Sequence, residues 1–389
     1  MSDAWPHVLI AGISSRALAT SAARAGYRVT AADAFGDADL RAVAEVVAVR
    51  VNGAPRFSAR EAAEVARNVD AALVAYTSNF ENYPAAVATL ARNRTLLGNA
   101  PAVLERVRNP IGLARVFAAH GFAVPSTRAS APEPKLDRRQ WLLKPRKSGG
   151  GHGTSRWRRG DPVPRSAYLQ ERIAGGAGSI IFTADGRQAR VLGLTRQLVG
   201  ESAFGARGFR YCGSLLAGSG SPLFPRQTEL LERATALADT AAAHFGLRGL
   251  NGVDFIARHG VPYPIEVNPR YSASMELVER ATRTSLFALH VDACAGRLSA
   301  GPALHRQVFG KAIVYARHDI RVTDPAQWSH ATLADVPHPG ERIGRGHPIC
   351  TVFAVGADAP SCQRLLRAAS ASIYRATSGT VAGPRRGAA

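Results

Sequence analysis

Asp254, Glu266 and Asn268 place three oxygen-bearing side chains in one short stretch, LNGVDFIARHGVPYPIEVNPR at 250–270. Two apolar runs, 253–257 and 263–267, flank His259-Gly260, which reads as the turn of a β-hairpin. Side chains alternate faces along a strand, so Glu266 and Asn268 point one way while Val267 turns into the core. Asp254, between Val253 and Phe255, leaves the apolar face of the partner strand. Two carboxylates and an amide oxygen then converge, a hard donor set suited to Mg²⁺, which takes its other ligands from water and substrate phosphates. An amphipathic hairpin with a polar outer face fits the same residues, so the spacing alone leaves both readings open.

A second candidate is PRKSGGGHGT at 145–154, entered from a strand at 141–144. Gly149, Gly150, Gly151 and Gly153 let the backbone approach an anion closely with its N–H groups turned inward. Lys144, at the strand end, is placed to meet a phosphate. The loop is not of the Walker type, because no GKS or GKT follows and no helix begins there. A plain surface loop is the competing reading.

The elements that must position these groups follow from patterning. A chain of 389 residues calls for two to four domains. It opens as βαβ: a strand at 8–11, a helix at 16–25 stopped by Gly26, and a strand at 27–32 ending in Asp33. This is the outline of a dinucleotide-binding fold, but Gly12 is followed by Ser14 and Arg16-Ala17 rather than a GxGxxG run, so a doubly wound domain without a cofactor is expected. A helix at 59–68, a strand at 71–77 and a helix at 83–93 continue it. Helices at 102–106 and 111–120 flank Asn109-Pro110, and a proline-rich linker follows (Pro125, Pro132, Pro134). Strands are read at 168–173, which carries QERI, and at 179–183 and 189–194, turning at Asp185-Gly186. Gly175, Gly176, Ala177 and Gly178 read as a glycine turn between them. Arg210 and Tyr211 fall in a glycine-punctuated segment at 207–214. A long helix at 227–245 precedes the central hairpin, and a single helix at 281–295 follows it. Short strands at 310–317, 320–322 and 349–355 and a helix at 361–374 suggest a small β-rich appendage, with a disordered tail from Thr377.

Composition narrows the partners. The net charge is +20, yet only four lysines occur (Lys135, Lys144, Lys147, Lys311), and the arginines are spread along the chain. With no nucleic-acid-binding signature, an anionic small substrate is the better use of that field. No apolar run approaches the roughly 20 residues that span a bilayer, and no signal peptide is read. Cys212, Cys294, Cys350 and Cys362 are far apart, so they read as buried thiols in a reducing compartment, and a cytoplasmic location is expected.

The order of the parts is similar to the ATP-grasp superfamily: a strand-end Lys144, a glycine loop, QERI at 170–173, VDF at 253–255 and IEVNPR at 265–270. The resemblance covers about residues 1–300. It implies an N-terminal α/β domain over 1–100, an ATP-grasp domain over 101–300 with a lid at about 141–196, and a β-rich region over 301–376, with the tail at 377–389. GISSRALATSAARAGYRV, FRYCGS, NPRYSASMEL and DVPHPGERIGRGHPICTVFA resemble the biotin-carboxylase-related branch that includes the tyramine–glutamate ligase of methanofuran biosynthesis; the ligase of pyrrolysine synthesis is more distant. Within that resemblance, ATP phosphorylates a carboxylate and an amine attacks the acyl-phosphate. Asp254, Glu266 and Asn268 would hold Mg²⁺ (or Mn²⁺). Lys144 and Gly149, Gly150, Gly151 and Gly153 would cover the phosphates of ATP. Glu171 and Ile173 would lie beside the adenine. Arg270 would stabilise the acyl-phosphate, and Tyr271, Ser272, Ser274 and Arg210 would meet the acid or amine. The partners implied are small molecules, with a homodimer allowed. Two features depart from the pattern. Arg108-Asn109-Pro110 stands where the family has a phosphate-contacting lysine, so either Arg106 or Arg108 substitutes or the contact is lost. Gly176-Ala177-Gly178 stands where an acidic residue would hold the ribose. A carboxylase using bicarbonate and a non-catalytic nucleotide-binding scaffold are the other readings.

Overall fold

A computed structural model describes residues 5–49, 57–132, 139–301, 303, 306–325, 328 and 333–378. The chain opens with a five-stranded parallel sheet. Its strands are β1 (His7–Gly12), β2 (Arg28–Asp33), β3 (Glu45–Ala48), β4 (Leu73–Tyr76) and β5 (Thr95–Leu97), in the order β3-β2-β1-β4-β5. Helices α1 (Arg16–Arg24), α2 (Ala38–Arg41), α3 (Ala59–Val65) and α4 (Pro84–Leu90) connect them. The doubly wound domain is therefore present, with α2 and β3 added in a stretch whose pattern is too short to read. Asp33 is spent internally. It accepts from Ser15 N (2.6 Å) and Ser15 Oγ (2.7 Å), and from Phe35 N and Gly36 N (2.8 Å each). These bonds make Asp33 a brace for the β1–α1 turn.

Helices α5 (Pro101–Val107) and α6 (Pro110–Ala119) lead into a four-stranded antiparallel sheet. It consists of β6 (Thr127–Arg128), β7 (Trp141–Pro145), β8 (Ser155–Trp157) and β9 (Ala167–Glu171), ordered β6-β9-β7-β8. Residues 133–138 of the expected linker, Pro134 included, lie outside the described residues.

An eight-stranded sheet forms the body. Its strands are β10 (Gly176–Asp185), β11 (Ala189–Val199), β12 (Tyr211–Leu216), β13 (Arg248–Arg258), β14 (Val261–Asn268), β15 (Val308–Tyr315), β17 (Leu333–Ala334) and β19 (Pro348–Gly356). They run β14-β13-β10-β11-β12-β15-β19-β17. β10 and β11, which the expected lid range takes in, belong to this sheet. The strands read as a C-terminal appendage complete it instead of standing apart: β15 pairs with β12 on one side and β19 on the other. Among the described residues, β16 (Ile320–Arg321) and β18 (Arg342–Ile343) form a separate pair.

Other readings change as well. Gly176, Ala177 and Gly178 lie in β10, opposite Ala257, Ile256 and Phe255, and are not a turn. A β-carbon on Gly178 would come within 2.8 Å of Phe224 and Phe255. These glycines admit two rings onto the strand, a tertiary demand that locally resembles a loop. The helix read at 281–295 is two helices, α8 (Met275–Thr282) and α9 (Leu286–Cys294). Arg283 is left-handed (φ 58°) and Ser285 Oγ accepts from Ala288 N (3.2 Å), so one helix ends and the next is capped.

Helix α7 (Gln227–Phe245) covers one face of the sheet, burying Leu230, Ala234, Leu237 and Ala241 at helical spacing, and Gly246 (φ 70°) ends it. α10 (Ala359–Thr377) packs beside it on β15 and β19, so Thr377 closes a helix, and residues 379–389 lie outside the described residues. On the other face α8 and α9 meet α1. There Val8, Ile10 and Leu18 of the parallel domain share one core with Leu216, Leu250, Met275 and Phe287. The N-terminal domain is thus fused to the body through buried apolar contact.

Candidate active site

The central hairpin forms as the pattern requires. His259 (φ 52°) and Gly260 (φ 76°) make a two-residue left-handed turn between Arg258 and Val261. β14 is an edge strand, which explains why Pro262 and Pro264 are tolerated. A bulge after Asp254 sets Asp254 opposite Glu266 and Gly252 opposite Asn268. Val253, Phe255 and Val267 are buried against α7, and the polar trio takes the other face. Asn268 Nδ2 donates to Asp254 Oδ2 (3.0 Å).

The charges are unequal. Burial, and then the neighbouring Glu266, push the Asp254 carboxyl up to about 6, against hydrogen bonds from Ser179, Gln197 and Asn268. Burial would raise Glu266 too, but Arg108, Lys144 and Arg270 outweigh it and hold its carboxyl below the ordinary range. Two carboxylates stand in direct cross-strand register, one of them protonating more readily than usual, and the positive charge beside them comes from three neighbouring side chains.

Arg108 supplies part of that charge. It occupies the joint between α5 and α6, fixed because Pro110 starts α6 and the Asn109 side chain caps Ile111 N and Gly112 N. Its guanidinium pairs with Glu266 Oε1 and donates to Val267 O (3.1 Å), Asn82 Oδ1 (2.9 Å) and Ser148 O (3.2 Å). It therefore touches the hairpin, the N-terminal domain and the glycine loop together. Arg106 turns away to Phe245 O (2.7 Å). Of the two arginines, only Arg108 faces the trio.

Lys144 lies across from the trio on β7. Its ammonium donates to Gln170 Oε1 (3.0 Å) and sits 5.7 Å from the Tyr168 ring centroid, near enough to lower Glu266. The loop after it carries Gly150, Gly151 and Gly153 at φ of 60°, 75° and 71°. It docks on the body: Tyr211 N donates to Gly150 O (3.0 Å), and a β-carbon on Gly151 would overlap Phe209 O.

Arg270 is nearly buried. It donates to Tyr271 O (2.9 Å), Asn268 Oδ1 (3.2 Å) and Glu81 Oε1 (2.7 Å). Glu81 and Asn82 come from the turn after β4 and carried no motif that singled them out. Glu171 binds Ser126 N (3.1 Å) at the strand end beside Ile173. Arg210 stacks on Tyr315, 4.2 Å from its centroid, behind the glycine loop. Tyr271 is buried in the core shared with the N-terminal domain, while Ser272 and Ser274 share a hydroxyl contact of 3.3 Å. The structure thus gathers Asp254, Glu266, Asn268, Arg108, Arg270 and Lys144, and sets Arg210 and Tyr271 further out. Among the described residues no helix is long and apolar enough to cross a membrane.

Residues 108–274 match the family model of the ATP-grasp domain. Over 110 residues the chain is 27% identical to an uncharacterised protein of Methanocaldococcus jannaschii, a match covering 28% of this chain and 27% of that protein. Pyruvate carboxylase of Rhizobium etli superposes with a TM-score of 0.72 at 14% identity, over 94% of this chain but only 37% of that one. Biotin carboxylase of Campylobacter jejuni gives 0.72 at 12% identity, covering 94% and 91%. The L-amino acid ligase of Bacillus licheniformis gives 0.66 at 15% identity, covering 95% and 98%. At such identities the likeness is one of fold: an ATP-grasp fold preceded by a parallel α/β domain.

Proposed function

We propose that this chain is an ATP-dependent carboxylate–amine ligase that forms an amide through an acyl-phosphate. The observation that carries the reading is the convergence of Asp254, Glu266 and Asn268 on one face of the hairpin, with Lys144 and the docked glycine loop opposite.

The donor set fits a hard divalent cation, since Glu266 is kept anionic and faces Asp254 and the Asn268 amide across the hairpin, an all-oxygen set. Asp254, Glu266 and the Asn268 amide oxygen would hold Mg²⁺ (or Mn²⁺), which supplies neutralisation of the triphosphate oxygens. Arg108 and Lys144 bring fixed positive charge to the transferring phosphoryl group, whose chemistry asks chiefly for positioning and electrostatic support. The glycine loop, the lid of this reading, excludes water once docked. Glu171 and Ile173 at the end of β9 flank the adenine. Arg270 steadies the acyl oxygen as the γ-phosphoryl group joins the carboxylate. The amine then attacks: the C–N bond forms, the C–O bond to phosphate breaks, and inorganic phosphate and a proton leave. Ser272 and Ser274 lie beside that site, with Tyr271 and Arg210 behind it.

For substrates we propose tyramine or tyrosine with L-glutamate, in the making of a methanofuran-type cofactor; the support is the sequence likeness of the segments quoted above. An ADP-release assay with Mg²⁺ over paired acids and amines tests both levels. Release that needs an acid and an amine together is the expected result. Release that needs bicarbonate instead identifies a carboxylase, and nucleotide binding without turnover identifies a scaffold.

A further inference from the structure

Among the described residues, four buried side-chain polar atoms have no hydrogen-bond partner: Glu81 Oε2, Arg270 Nε, Arg210 Nε and Tyr271 Oη. Two of them belong to one ion pair. Glu81 Oε1 accepts from Arg270 Nη2 at 2.7 Å, with the side chains 1% and 9% exposed. A buried polar atom left unpaired costs free energy, so a purely structural pair would be expected to satisfy both groups. Here each member keeps one hand open: a carboxylate oxygen that accepts, and an N–H that donates.

The pair lies where the fold places ligands. In the parallel sheet the strand order reverses between β1 and β4, and crevices at the carboxyl ends of such neighbours are the usual binding sites. The turns after these two strands meet there: Ile13 N donates to Ser78 O (2.5 Å), and Glu81 and Asn82 project from the second turn to Arg270 and Arg108. With Asp33 spent on its own turn, the crevice is left to the side that faces the trio.

An amide-forming reaction presents one partner for each open hand. The amine brings N–H groups and, before it is deprotonated, positive charge. The activated acid brings an acyl oxygen. We propose that Glu81 Oε2 receives the nitrogen of the incoming primary amine, leaving Arg270 Nε to the acyl oxygen. The chemical class is a primary alkylamine in its ammonium form. The inference rests on the ligase reading and names the residue that selects its nucleophile.

The test uses the full chain with ATP, Mg²⁺ and L-glutamate, and compares tyramine with hydroxylamine, a nucleophile largely uncharged at neutral pH that traps an acyl-phosphate as the hydroxamate. Glu81→Gln preserves size and the pairing with Arg270. It is expected to raise the KM for tyramine at least tenfold and to lower the tyramine-to-hydroxylamine ratio of kcat/KM by tenfold or more. An unchanged ratio, with both nucleophiles weakened together or neither affected, overturns the assignment while the ligase reading stands. A parent protein that forms neither amide nor hydroxamate with any acid tested sinks the ligase reading itself. Should Glu81→Gln melt well below the parent, Glu81→Asp keeps the charge one methylene short and must shift the ratio in the same direction.

Discussion

At the scale of single residues, the chemistry turns on how much charge each carboxylate keeps. Glu266 holds its charge because three cations surround it, and a glutamine there would lose the charge but keep an oxygen for Arg108. On the proposed function, Glu266→Gln is expected to cut Mg²⁺-dependent ADP release by at least about 100-fold while the chain still folds, because the Glu266 side chain is 24% exposed and water offsets part of the lost charge. Full activity in that variant would exclude Glu266 from the metal site. Asp37 shows the opposite case. Burial, and then Asp335, Asp33, Asp39 and Glu341, push its carboxyl up to about 9. A raised folded-state value favours folding below the unfolded value near 4, and that contribution is lost as pH rises toward 9. Asp37→Asn is therefore expected to melt above the parent, with a gap that widens between pH 5 and pH 8. A gap that narrows across that range would contradict the burial argument.

At the scale of elements, the glycine loop and the hairpin face each other because each is held by local geometry. Gly151 combines φ 75° with a close approach to the backbone at Phe209, so a side chain there meets both strain and overlap. Gly151→Ala is expected to raise the KM for ATP about tenfold or more while leaving the melting temperature nearly unchanged, since the loop covers the site without forming part of the core. A large loss of stability with an unaltered KM would place the loop outside nucleotide binding. Much of this level was legible beforehand. The hairpin, its turn, α7 and the Lys144 strand all carry local periodicity or turn chemistry. Gly176, Gly178 and the break between α8 and α9 were misread, because glycines that admit Phe224 and Phe255 look the same as turn glycines until the rings are in place.

At the scale of the whole molecule, a buried charge cluster ties the parts together. Arg16 of α1 donates to Glu276 of α8 (2.5 Å) and to Asp335 (3.0 Å), and Lys311 of β15 donates to Glu276 (2.7 Å). Asp39 accepts from Asp335 N (2.9 Å) and Val336 N (3.0 Å). Burial alone would raise the Glu276 carboxyl; Arg16 and Lys311 hold it far below the ordinary range instead. Glu276→Gln leaves two buried cations short of their counter-charge, and a loss of about 3–5 kcal/mol is expected in urea unfolding at neutral pH. A depressed folded-state value contributes stability above the unfolded value and loses it as pH falls, so the variant should also show a flatter acid limb than the parent. Parallel acid limbs would mean that the cluster does not report on Glu276.

The sequence by itself determined the metal-suited trio on one face of its hairpin, the glycine loop behind Lys144, and the doubly wound opening, because each is written in neighbours a few residues apart. Tertiary structure alone decided that Arg108 and not Arg106 faces the trio, that Glu81 reaches Arg270 across 189 residues, that Arg16 meets Asp335 across 319, and that the C-terminal strands complete the main sheet. Those contacts join segments whose own patterns are complete without each other. Side-chain periodicity records only which face of an element is buried, and carries no mark of the distant surface that buries it.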